Sequence, residues 1–220
     1  MAEKFDAYAQ SYESLHKSSV ASSGEDPSYF HDYKIGCLVR RALLDGPVLD
    51  YGCGVGNLTE RLVSRAPEVH GYDPSESSRA EARTRASGAV VHDTPESLPA
   101  AHFETAILSG VLHHVTPAER PGVLATVRSA LRPGGRIVVF EHNPLNPLTR
   151  YAVNTCEFDE HAKLILAPSM RQRVREAGFA SAAVRYRIFF PHALRGMRPL
   201  EAKMTWLPLG AQYYVVARKA

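Results

Sequence analysis

Val48-Leu49-Asp50-Tyr51-Gly52-Cys53-Gly54-Val55-Gly56-Asn57-Leu58-Thr59 is the stretch that decides how the rest of the chain is read. An apolar strand, Pro47 to Leu49, runs into an acid. Glycines then stand at every second position, Gly52, Gly54 and Gly56. The polar Asn57 opens a helix predicted over Leu58 to Ala66. A strand, a glycine turn and a helix N-terminus in that order form a ligand cradle. Glycine lets a ligand approach the main chain, and the first helical N–H groups have no partner inside the helix. A simple strand–helix junction uses the same residues, so the cradle needs support from elsewhere in the chain.

Two details narrow the ligand. A dinucleotide fingerprint would place its third glycine at position 57, where this chain has Asn. The acid before the turn, Asp50, would repel a pyrophosphate and suits an ammonium, directly or through water. The stretch resembles the first motif of class I S-adenosylmethionine (SAM) methyltransferases, whose ligand has a cationic amino-acid tail and no phosphate. It is closest in pattern to their small-molecule branch, of the ubiquinone and menaquinone biosynthesis kind.

Further residues carry the resemblance. Glu68 to Tyr72 reads as a second strand, ending at Asp73-Pro74, with Asp73 21 residues beyond Gly52. An acid there accepts hydrogen bonds from both ribose hydroxyls, or else simply caps the helix that follows. Ala89 to His92 reads as a third strand. Asp93 and Thr94 after it resemble the segment that meets adenine, with one additional residue before Leu98-Pro99. Glu104 to Gly110 reads as a fourth strand. The backbone at Ser109 to Val111 is expected at the amino-acid end of SAM. Leu112-His113-His114-Val115 and Leu131-Arg132-Pro133-Gly134-Gly135 are also similar to the family. Thr116 to Glu119 reads as a capping box opening a helix that runs to Leu131, with Pro121 awkward inside it.

The acceptor is expected beyond the fifth strand, Arg136 to Phe140, because ligands sit at the carboxyl ends of strands in open α/β sheets. Glu141 and Asn143 are placed there, with Asn154 and Tyr33 as further acceptor-binding candidates. His142 and His114 are the first candidates for a base, with His113 beside them, since histidine titrates near neutrality. A histidine that packs or fastens the loop is the other reading. Lys34 can pair with the SAM carboxylate, but an exposed lysine is the expectation.

The resemblance implies a doubly wound, Rossmann-like α/β fold. Its seven-stranded sheet has the order 3-2-1-4-5-7-6, and its last strand is antiparallel. The chain is expected to be a single domain over 1–220, with 1–44 as a helical lid or cap. In that segment Phe5, Tyr8, Tyr12 and Leu15 share a helical face. Tyr8 and Tyr12 are candidates to touch the ligand. The implied reaction is methyl transfer from SAM to an oxygen, nitrogen or activated carbon. A SAM-fold protein that binds without transferring, and an NAD-type oxidoreductase, remain the alternatives.

Composition bounds the partners. The 220 residues carry 45% hydrophobic and 22% charged residues, as a globular chain does. The eleven Lys and Arg from His161 onward are opposed only by Glu176 and Glu201, against an excess of acids before that point. This basic segment suits an anionic or lipid-linked acceptor, a peripheral membrane contact or a plain solvated face. No base-flipping signature calls for nucleic acid. The three cysteines are far apart and show no metal spacing, so free thiols and a cytoplasmic setting are expected. No metal is expected, and no apolar run approaches the ~20 residues of a membrane span.

Overall fold

Alternation along the central strand sets the architecture. In β5 (Leu131–His142) Ile137 and Val139 face one side of the sheet, and Val138 and Phe140 face the other. Side chains alternate across a strand, so an unbroken apolar run is a strand buried on both faces. The computed structural model describes residues 17–156 and 162–220. It contains β1 (Val48–Tyr51), β2 (Val69–Tyr72), β3 (Val90–His92), β4 (Phe103–Ser109), β6 (Phe179–Arg187) and β7 (Gln212–Lys219) beside β5. Their order is 3-2-1-4-5-7-6, with β7 antiparallel to both neighbours and the other pairings parallel. This is the sheet that the resemblance implies.

Parallel neighbours require crossovers, which the helices supply. These are α1 (Pro27–Val39), α2 (Asn57–Val63), α3 (Glu76–Arg85), α4 (Arg120–Ala130), α5 (Pro147–Asn154), α6 (Ala167–Glu176) and the short α7 (Glu201–Met204). On one face, Leu124 and Val127 of α4 and Met170 and Val174 of α6 pack with Leu49, Leu108, Ile137 and Tyr213. On the other, Ile35 and Leu38 of α1 and Leu58 and Leu62 of α2 pack with Val48, Ile107, Val138 and Tyr214. The segment expected as a lid is thus partly core, since α1 covers one face of the sheet. Tyr8 and Tyr12 lie outside the described residues.

Several boundaries differ from expectation for local reasons. Helix α1 ends at Val39, not Leu44, and the chain leaves it through Ala42 at φ 49°. In the Thr116–Glu119 box the Thr116 hydroxyl donates to Glu119 Oε2 at 2.7 Å, but the helix begins at Arg120. Pro121 therefore falls in the first turn, where its missing N–H costs nothing. Strand β5 takes in the Gly134-Gly135 turn and begins at Leu131.

Strand order reverses between β1 and β4, so the crevice beyond their carboxyl ends is open for a ligand. The glycine turn leaves β1 at that point. The N–H groups of Gly52 and Cys53 donate to the Tyr72 carbonyl at 2.6 and 3.0 Å, which ties the turn to β2.

Candidate active site

A cavity of about 280 Å³ opens at this crevice. Gly52, Cys53, Gly54 and Asn57 from the turn line it, with Asp50, Asp73, Pro74, Ser109 and Val111, and so do His113, His114 and His142. Twelve residues expected to bind or react thus share one cavity.

The turn is fixed by what its glycines exclude. Gly52 sits at φ +80°, and a Cβ there would come within 2.4 Å of Val111 Cγ2. Gly56, at φ +86°, lies against the α3 backbone, where a Cβ would be 2.9 Å from Ala82 Cα. Gly54 is different. It also has positive φ, +53°, but a Cβ would meet nothing within 4 Å. Its bare backbone borders the cavity, and its N–H donates to Asp73 Oδ2 at 2.9 Å. The Ser75 N–H donates to Asp73 Oδ1 at the same distance. An acid held by two backbone amides beside an open glycine fits a ribose diol.

The opposite wall carries charge. Asp50 is buried and accepts from the Thr59 hydroxyl at 2.8 Å. Burial pushes its carboxyl up to about 6, against the opposing pull of Thr59 and Lys34. Lys34 Nζ donates to Ser109 Oγ at 2.8 Å and lines the same cavity. Burial pulls its ammonium down to about 8, while Asp50 and Glu141 act to raise it. The sequence favours a solvated Lys34. The structure instead turns it inward, one helical turn after Phe30, which also lines the cavity. A cation and an anion lining one cavity, each acting on the other's ionisation, match the zwitterionic tail of an amino acid.

The histidines sit on a braced loop. Glu141 is buried; one of its oxygens accepts from the Leu112 N–H at 2.9 Å and the other from His113 Nδ1 at 2.5 Å. Burial raises the Glu141 carboxyl, but His113, with smaller contributions from His142 and His114, outweighs it and holds the group below the ordinary carboxylate range. The buried Arg120 donates through Nε to the Leu112 and Val115 carbonyls at 2.9 and 3.1 Å. The His113 ring centroid is 4.1 Å from that of His114 and 5.2 Å from that of His142.

Other expected residues lie elsewhere. Glu141 points into this brace rather than the cavity. Asn143 is buried in a loop clamp, with Nδ2 donating to the Pro208 and Gly210 carbonyls at 3.0 and 2.8 Å. The Tyr33 hydroxyl donates to Glu201 Oε2 at 3.1 Å. Asn154 is exposed at the end of α5. Asp93 is exposed and paired with Arg83 at 2.6 Å, and neither it nor Thr94 lines the cavity. To meet an adenine amine, Asp93 must leave that pair. Ile188, Phe189 and Gln212, which no sequence signal singled out, line the cavity from β7 and the segment following β6. They belong to no motif, and only the closing hairpin brings them in.

The sheet order, with the cavity at the glycine turn, is that of the class I SAM-dependent methyltransferase fold. Residues 29–184 match the family model described as a methyltransferase domain, and the chain belongs to that family. It is 37% identical over 95 residues to an uncharacterized methyltransferase of Geobacillus kaustophilus, a match covering 41% of this chain and 44% of that one. It is 32% identical over 183 residues to a trans-aconitate 2-methyltransferase of Methylobacterium nodulans, covering 73% and 68%. The chain thus spans under two thirds of the Geobacillus relative. Its fold is similar to that of a SAM-dependent methyltransferase from Thermotoga maritima, with a TM-score of 0.73 at 20% identity, covering 100% of each chain.

Proposed function

We propose that the protein transfers a methyl group to a small or lipid-linked acceptor, anionic in part, within the single cavity described above. One observation carries this reading: Gly54 and Asp73, Asp50 and Lys34, and the three histidines line one continuous cavity. Bound SAM would supply an electrophilic methyl group. Asp73 would hold the ribose hydroxyls and the main chain at Gly52, Cys53 and Gly54 the adjoining atoms. Asp50 and Lys34 would take the ammonium and carboxylate of the amino-acid tail, with the Ser109–Val111 backbone beside them.

The chain's task is then to desolvate and align the acceptor. His142 and His114 stand where they can take a proton from an acceptor that must lose one. Acceptor character is read from the rim. Leu148 lines the cavity while half-exposed, and Leu145, Tyr151 and Leu209 nearby are also exposed. Asn146 Nδ2 donates to the Leu209 carbonyl at 2.8 Å, which joins the two loops of this apolar rim. The apolar rim and the basic C-terminal segment together favour an acceptor with an apolar body and an acidic group. Among the described residues no helix is long and apolar enough to cross a membrane. Peripheral contact through the rim and a cytoplasmic setting go with this reading.

The test is release of S-adenosylhomocysteine (SAH) from SAM in the presence of a panel of aromatic acids, quinol precursors and lipid-linked acids. Acceptor-dependent release supports the reading. Tight SAM binding with no release across the panel favours the binding-only alternative.

A further inference from the structure

A second cluster of ligating side chains lies at the other end of the sheet. Glu68 precedes β2, His70 is within it, and His102 directly precedes β4. This is the amino-terminal end of the parallel strands, opposite the glycine turn. Glu68 Oε1 is 2.8 Å from His70 Nε2 and 2.8 Å from His102 Nε2. One ligand atom from each residue lies within 4.8 Å of the other two. We propose that Glu68, His70 and His102 bind a divalent transition-metal ion of the zinc type, which clips β2 to the segment entering β4.

The hydrogen-bond network orients the ligands. Ser97 Oγ donates to the Thr94 carbonyl at 2.7 Å. His92 Nδ1 lies 3.2 Å from that hydroxyl oxygen, and His92 Nε2 lies 2.8 Å from His70 Nδ1. His70 turns Nε2 toward the Glu68 carboxylate, with Nδ1 held on the far side by His92. A metal ion seated between Nε2 and the carboxylate would be held by both. An outer hydrogen bond to the second ring nitrogen is the usual support of a metal-bound histidine.

Size and donor type agree. Zinc bonds of about 2.0–2.1 Å in a tetrahedron set ligand atoms about 3.3 Å apart, so the present contacts open by about half an ångström. The Glu68 and His102 side chains are 42% and 36% exposed, which leaves an entry path and freedom to make that adjustment. His70 is held from behind, with its ring stacked on His92 at 5.0 Å and edge-on to Phe103 at 5.0 Å. Two imidazoles and one carboxylate suit zinc, cobalt or nickel rather than magnesium or calcium.

The experiment uses the full chain, untagged and stripped with chelator, titrated with cobalt(II) and with zinc(II) alone. Wild-type protein should bind one ion, with the visible absorption of tetrahedral cobalt that zinc then displaces, and zinc should raise its melting temperature. Glu68→Gln and His102→Ala should each weaken binding at least tenfold and abolish the zinc-dependent rise. Circular dichroism confirms that each variant is folded before titration. No binding by the wild type overturns the proposal. So does binding of unchanged strength in the variants, which would place the ion at the cavity histidines.

Discussion

The backbone N–H of Gly54 donates to Asp73 Oδ2 across 2.9 Å, joining the glycine turn after β1 to the acid that follows β2. The two motifs are one device: the turn presents bare backbone to the cavity, and the same bond holds the carboxylate beside it. Replacing Asp73 removes both the ribose acceptor and the pin on the turn. Asp73→Ala should weaken SAH binding by about 2 kcal/mol, the scale of lost hydrogen bonds to a charged group. Isothermal titration measures this, and unchanged affinity would remove Asp73 from the ligand site.

Gly54 and Gly52 separate binding from folding. At Gly54 a Cβ meets open space on the cavity side, so Gly54→Ala should impair SAH binding while costing only about 1 kcal/mol of stability for its positive φ. At Gly52 the same change drives a methyl into Val111. Gly52→Ala should therefore lower the melting temperature well beyond Gly54→Ala. Equal effects on melting would contradict the assignment.

Affinity for the ligand should be bell-shaped in pH. Asp50 must be ionised to hold an ammonium, and burial raises it to about 6, so affinity rises as pH passes upward through that value. Lys34 must be protonated to hold a carboxylate, and burial lowers it to about 8, so affinity falls above that value. Lys34→Met should remove the alkaline limb and leave the acidic one. Titrations of SAH from pH 5 to pH 9 on both proteins test the pair.

Glu141 should prove a brace rather than an acceptor ligand. Glu141→Gln replaces a buried carboxylate that accepts from the Leu112 amide and from His113. A hydrogen bond to a charged group is worth about 1.5–3 kcal/mol, and stability should fall by about that much. Denaturant unfolding measures the loss. A variant of full stability whose only defect is in acceptor KM would reverse the assignment.

What the sequence disclosed depends on where the signal lies. The strands and the glycine turn were readable because turn chemistry and hydrophobic period are local, whereas the strand order was implied by the resemblance to the family. Lys34 was not, since a lysine on a helix reads as solvated until α1 is seen to close over Ser109. Glu141 and His142 are neighbours at one strand end, and alternation sends the first toward Leu112 and His113 and the second to the cavity wall. Position in the chain gives the strand end but not which face each side chain takes. Tyr33 was spaced correctly for α1, and its partner Glu201 lies 168 residues away, beyond any local pattern.

The most direct measurement is calorimetric titration of the full chain with SAM, SAH and NADH in parallel. Both adenosyl ligands should bind at micromolar affinity, and NADH should not bind. Binding of NADH without SAM or SAH would contradict this and would make the turn at Gly52–Gly56 a dinucleotide site.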